Sequence, residues 1–217
     1  MGRAKALLYL LMRHGGGFKS YRTVMASVEK TKGVVATTPF IVTQGMIRSK
    51  SGAVGAVIRG IDPSTAGRVM KTLEQLSLPG FSGKKSSGQS TLQAPGIVLG
   101  KELARNLGVI EGDLIYLMSP QGMLSPIGHL PAMKQFKITG FFQSGMYEYD
   151  QTFAFINLKD AQKMLRMGDS VSGIDIRVTD IYKAREIADQ ITSNLGFPYW
   201  TRDWMQMNQN LFRALKM

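Results

Sequence analysis

Apolar positions along this chain follow two periods, and the changes between them mark its elements. "KALLYLL" (5–11) is dense enough in apolar residues for a buried strand or a short helix, and its pattern does not choose between them. The glycines of "HGGGF" (14–18) break that run. No Lys-Ser/Thr pair follows them in phosphate-loop spacing, so they are read as a flexible turn. Tyr21, Val24, Met25 and Val28 recur at helical spacing, with Ser20 as candidate cap and Gly33 as the stop. Two β-rich runs follow, "VVATTPFIVTQGMIRS" (34–49) and "AVGAVIRGI" (53–61), joined by a turn-like "KSG". Asp62 as N-cap with Pro63 at the first helical position predicts a helix through "DPSTAGRVMKTLEQL" (62–76). Residues 77–95, rich in Gly, Ser, Pro and Lys, make a mobile loop or a subdomain boundary. The spacing of "GFSGKKSS" within them is not that of a Walker loop.

The second half resumes with a short strand (96–100), a helix (101–107) ended by Gly108, and a strand (114–118). "SPQGMLSPIGHLPAMK" (119–134) links that strand to the next, "KQFKITGFFQ" (134–143). At 16 residues the link is longer than the usual hairpin loop of about 2–5. Pro120, Pro126 and Pro131 restrict its backbone, which predicts an ordered projection carrying apolar side chains. "QTFAFINLKDAQKMLRM" (151–167) repeats the order of 56–73: a strand, a polar cap (Asn157), then a helix burying Ala161, Met164 and Leu165. An alternating strand (173–180) and a helix striped by Ala184, Ile187, Ala188, Ile191 and Leu195 follow, closed by Gly196. Trp200, Trp204, Met207, Leu211 and Leu215, spaced by three and four, predict a last amphipathic helix without a stop signal, as in a piece of a longer polypeptide. β-rich material between two mixed halves predicts an α+β fold with an inserted subdomain.

Composition narrows the chemistry. The 217 residues, 44% hydrophobic and 19% charged, suit one large or two small globular units. Cysteine is absent, which removes disulfides, zinc-thiolate sites and thiol nucleophiles. His14 and His129 are the only histidines, too few for a histidine-rich metal site and unfavourable for a Ser-His-Asp triad. The apolar run Ala6–Met12 is seven residues, well short of the roughly 20 that cross a membrane, and no cleavage pattern follows it. Of the net charge of +12, +11 sits in residues 1–90, where 14 Lys/Arg face only Glu29, Asp62 and Glu74. That field suits nucleic acid, anionic lipid headgroups, an acidic partner or simply a solvated surface. Against nucleic acid, the chain has no aromatic-basic interleaving and no basic run.

Catalytic candidates are sparse. Glu148 and Asp150 in "YEYD" share a face if that stretch is extended, but no further carboxylate or histidine is near in sequence. His129 has no orienting partner nearby. The 14 methionines are dispersed, so most are expected in the core. The residues point to no catalytic and no metal site.

The order "GIVLGKELARNLGVIEGDLIYLMSP…KQFKITGFFQSGMYEYDQTFAFINLKDAQKML" resembles the MacB/FtsX-like periplasmic core domain. "SPIGHLPAMKQF" and the ending "WTRDWMQMNQNLFRALKM" make the chain similar to the lipoprotein-releasing permeases LolC and LolE. That resemblance implies a domain on the periplasmic face of the inner membrane, between two membrane helices of an ABC transporter. It implies a Porter-like βαβ subdomain (1–78 and 147–217) with an inserted β-rich Sabre-like subdomain (79–146). The inserted part would carry a long hairpin, the Hook, over 119–134. It further implies a LolA-type periplasmic chaperone, a lipoprotein substrate, a LolC/LolE-type permease partner and a LolD-type cytoplasmic ATPase. The ATP is used by that separate subunit, and the domain itself holds no cofactor. Carried over by position, Leu124, Ser125, Pro126, Ile127, Gly128, His129 and Leu130 would form the Hook. Leu124, Pro126 and Ile127 would be the tip that enters the chaperone's cavity. Tyr116, Met133 and Lys134 match the chaperone-binding Pad, although the LolC type carries Arg and Gln where Tyr116 and Met133 stand. A MacB-type efflux domain or an FtsX-type signalling domain is the alternative within the same resemblance. Outside it stand a basic nucleic-acid-binding domain and a hydrolase using Glu148 and Asp150.

Overall fold

Burial on both faces decides the first ambiguous run. In the computed structural model, which describes residues 6–12, 18–70, 94–125 and 128–203, the "ALLYLL" of that run belongs to strand β1 (Ala6–Met12). Leu8, Tyr9 and Leu10 are successive and all buried, so the run lacks the alternation of a half-exposed strand. The chain packs as two compact units.

The first unit comprises the chain to Phe40, Arg68–Met70 and everything from Asp169. Its strands run in the order β2 (Val34–Arg48, here to Phe40), β8 (Gly173–Val178), β1, β9 (Tyr199–Asp203), each antiparallel to its neighbours. β8 lies between β2 and β1, and Gly173 makes the close approach possible. A Cβ there would sit 2.6 Å from the Leu10 carbonyl and 2.9 Å from the Phe40 ring. Helix α1 (Tyr21–Val28) buries Tyr21, Val24 and Val28 of the predicted stripe and leaves Met25 half-buried, and Ser20 at the N-cap makes no side-chain capping bond. A longer helix of this unit, Ala184–Leu195, buries Ala184, Ile187, Ala188 and Ile191. The first four residues of the helix expected from Trp200 belong instead to strand β9, whose Trp200 pairs with Leu11 of β1. Edge pairing overrides the local three-four spacing there, and 204–217 lie outside the described residues.

The second unit comprises Ile41–Gly67 and Lys71–Gly168. Its strands are the rest of β2, β3 (Ala53–Ile61), β4 (Gly96–Gly100), β5 (Leu114–Ser125), β6 (Gly128–Phe142) and β7 (Phe153–Asn157). They pair in the order β3-β7-β4-β6-β5-β2, and β3 also pairs with β2, so the pairings form a ring. The β2–β3 turn is organised by Ser49. Its hydroxyl accepts from the Ser51 and Gly52 amides and donates to the Leu107 carbonyl at 2.7 Å. Among the described residues a short helix, Pro63–Val69, follows β3 at the start expected from Asp62, and three more join the ring: Lys101–Leu107, Tyr147–Thr152 and Leu158–Leu165. Of these three, the first ends at left-handed Gly108, and the last is capped by Asn157, which accepts from the Lys159 amide at 2.9 Å.

These units divide the chain at other places than the sequence division at 78/79 and 146/147. The reason is pairing. β7 is parallel to β3 and antiparallel to β4, so residues 147–168 and the β2–β3 hairpin share one core with 96–142. The segment "YEYD" is also not extended but forms the helix Tyr147–Thr152. Gly100 lets that helix approach, because a Cβ at Gly100 would lie 2.0 Å from the Asp150 carbonyl oxygen. Gly100→Ala is therefore expected to cost about 1–3 kcal/mol in urea unfolding, the penalty of overpacking against backbone that cannot swing aside. An unchanged unfolding midpoint would show that the two segments are not so close.

Candidate functional site

The stretch expected to project is built as a continuation of two strands rather than as a loop. From Leu114↔Lys137 to Ser119↔Ala132 the β5–β6 ladder is regular. Its register then shifts, so that Pro120, Gln121 and Gly122 stand opposite Pro131 alone. Proline supplies no amide hydrogen to a ladder and is tolerated at such irregularities. Pairing resumes at Met123↔Leu130 and runs through Leu124↔His129 to Ser125↔Gly128. Pro126 and Ile127, which with Leu124 make up the expected tip, lie outside the described residues. β2 pairs with β5 only over Tyr116–Met118, and β4 pairs with β6 from Lys137 onward. Pro120–Ser125 and Gly128–Pro131 therefore have no ladder partner but each other among the described residues.

At the root, alternation separates two faces. Ile115, Leu117 and Phe136 are fully buried on one face. Its last rung holds buried Ser119, whose hydroxyl lies 3.3 Å from that of Thr43 on β2. The other face is solvent-exposed and largely apolar. Met46 of β2 stands opposite Met118 of β5, which stands opposite Met133 of β6. Met46 is 47% and Met133 62% exposed, and Met118 is half-buried. The next outward rung holds Arg48, Tyr116 and Gln135, with Gln135 Nε2 donating to Tyr116 Oη at 3.3 Å.

Of the three Pad candidates, Tyr116 and Met133 lie on this outer face. Lys134 lies on the other: its ladder partner is buried Leu117, and its ammonium pairs with Asp160 at 2.9 Å and sits over the Phe136 ring. The Hook candidates Leu124, Ser125, Gly128, His129 and Leu130 occupy the distal arms by backbone position. Sequence reading missed Met46. Its alternation with Val42, Gln44 and Arg48 marks an outward position in β2, but nothing local joins it to methionines far along the chain.

The carboxylate pair does not form a site. Glu148 is exposed, whereas buried Asp150 accepts from the Ser144 amide and hydroxyl, both at 2.7 Å, and so ties down the turn before its helix. Among the described residues no group of three or more His, Asp or Glu is arranged to hold a metal, and no helix is long and apolar enough to cross a membrane.

Comparison with known proteins agrees with this architecture. The family model for the MacB-like periplasmic core domain matches residues 5–194. The lipoprotein-releasing system transmembrane protein LolC of Xylella fastidiosa is 32% identical over 85% of the chain and 43% of its own length. The protein of the same name from Neisseria meningitidis is 28% identical over 91% of the chain and 46% of its own length. The chain thus spans less than half the length of these relatives. Two solved structures share the fold at a TM-score of 0.54. The periplasmic region of MacB from Actinobacillus actinomycetemcomitans is 9% identical and covers 95% of this chain and 92% of its own. The extracellular domain of the ABC-type transporter YknZ from Gram-positive bacteria is 11% identical and covers 92% and 100%.

The two faces make opposite demands on substitution. Leu117→Ala is expected to cost about 2–5 kcal/mol by opening a cavity, whereas Tyr116→Ala stays within about 0.5 kcal/mol. Urea unfolding of the pair reads the register directly, and equal losses would mean that the faces are misassigned.

Proposed function

The chain belongs to the MacB-like periplasmic core domain family, and on that premise we propose that it serves a LolC-type lipoprotein-releasing permease, passing lipoproteins to a LolA-type chaperone. The domain is periplasmic. In this reading the β5–β6 hairpin is the Hook, the outer face at its root is the Pad, and the domain is an interaction element without catalysis. The first compact unit corresponds to the Porter-like part and the second to the Sabre-like part. The lipoprotein, a second permease subunit and a cytoplasmic ATPase belong to the complete transporter.

The observation that carries the reading is the hairpin whose ladder continues to Ser125↔Gly128 after its neighbouring strands have ceased to pair with it. Such an element can enter an apolar cavity, with burial contributing about 25 cal/mol per Å² of apolar surface. Identity to LolC proteins over most of the chain favours this role over a MacB-type efflux domain, for which the support is likeness of fold. Relative to the sequence expectation, the Pad loses Lys134, which faces the other way, and gains Met46.

Titration of the domain with its organism's LolA-type chaperone, beside a Pro126→Ala/Ile127→Asp variant, tests the proposal. The intact domain should bind with little change between low and high salt. The variant should lose at least about tenfold, because a charge replaces an apolar tip. Binding that ignores the variant would move the contact off the hairpin, and binding that falls steeply with salt would point to the basic half instead.

A further inference from the structure

The rung Met46–Met118–Met133 brings three thioethers, from three strands, onto one exposed face. Directly opposed residues in an antiparallel ladder stand about 4.5–5.5 Å apart, so the side chains are immediate neighbours. The face beneath them cannot exchange with them. Ile47, Leu117 and Ser119, next along β2 and β5, are buried, and turning the rung inward would expose them. Leucine would offer a docking partner a similar apolar area. Methionine differs from it in one chemical respect: the sulfur accepts an oxygen atom and becomes polar.

We propose that this rung is an oxidation-sensitive modification site, at which peroxide-class oxidants convert Met46 and Met133, and then half-buried Met118, to sulfoxides and so switch off docking at the hairpin root. In the reaction the thioether sulfur attacks one peroxide oxygen. The S–O bond forms as the O–O bond breaks, and the departing hydroxide takes the transferred oxygen's proton to leave as water. The methionine is oxidised by two electrons and the peroxide reduced. Each sulfoxide sets a strong acceptor on a surface that an apolar partner would cover, and it stays unpaired there unless the partner supplies a donor. Sulfoxide reductases reverse the change, so the loss is recoverable. The effect on docking rests on the proposed chaperone contact, whereas the reactivity of the rung does not.

The test treats the domain with hydrogen peroxide, maps sulfoxides by peptide mass spectrometry, and titrates treated and untreated protein with the LolA-type chaperone. A Met46→Leu/Met118→Leu/Met133→Leu variant runs in parallel, a volume-conserving change that keeps the face apolar. Met46 and Met133 should oxidise well ahead of buried Met164. The treated protein should lose at least about tenfold in affinity and regain it with a sulfoxide reductase. Whatever its own starting affinity, the leucine variant should lose none of it on treatment, even though Met146, 42% exposed, still oxidises in it. A leucine variant that loses binding on oxidation, or a fully oxidised rung that still binds, overturns the proposal. If untreated protein does not bind, the proposed function fails and the map alone decides. Early sulfoxides at Met46 and Met133 then sustain the modification site, and oxidation no faster than at Met164 overturns it.

Discussion

The root of the β5–β6 hairpin has one face that must stay buried, and the candidate surface follows from that constraint. Ile115, Leu117 and Phe136 have no exposed area, and each is worth about 1.5–3 kcal/mol when removed from water. A slip of one residue in either strand would exchange the faces, so burial fixes the register. The same alternation obliges Tyr116, Met118 and Met133 to look outward. Their exposure is the other side of a well-determined strand pairing.

The buried face ends where chemistry changes. Ser119 and Thr43 bring two hydroxyls together at the last inward rung, which gives each a partner away from water. Just beyond, Pro120 and Pro131 coincide with the register shift. Below this level the hairpin belongs to a core shared with four other strands. Above it the arms have only each other among the described residues. The ring of pairings supplies the support from below, and close backbone approaches at Gly60 and Gly100 bring helices against it. A Cβ at Gly60 would stand 2.5 Å from that of Ala161.

Much of this was legible in the sequence because it is local. The stripe of Tyr21, Val24 and Val28, the Asn157 cap and the Gly108 stop each depend on a few consecutive residues. The Asp62 start is equally local, with its carboxylate accepting from the Ser64 amide at 3.0 Å. What escaped depends on distant partners. "ALLYLL" became a strand because β8 and β9 flank it, and Trp200 joined a strand because β1 offered an edge. "YEYD" became a turn of helix around Asp150, whose partner Ser144 precedes the motif. The unit boundaries followed parallel pairing of β3 with β7, which no periodicity announces. The methionines looked dispersed because a cross-strand rung leaves no trace in linear spacing. Likewise Lys134 and Met133, adjacent in sequence, serve opposite faces.

A ladder whose arms have no neighbouring strand among the described residues carries a risk to the molecule that has it. Free strand margins present amide and carbonyl groups on which another copy can add, which is how edge strands seed aggregation. Pro120 and Pro131 each withdraw one donor from the arms, and the register shift interrupts the regular repeat that a second strand would need to match. The prolines thus keep an extended apolar hairpin from becoming a template for its own kind.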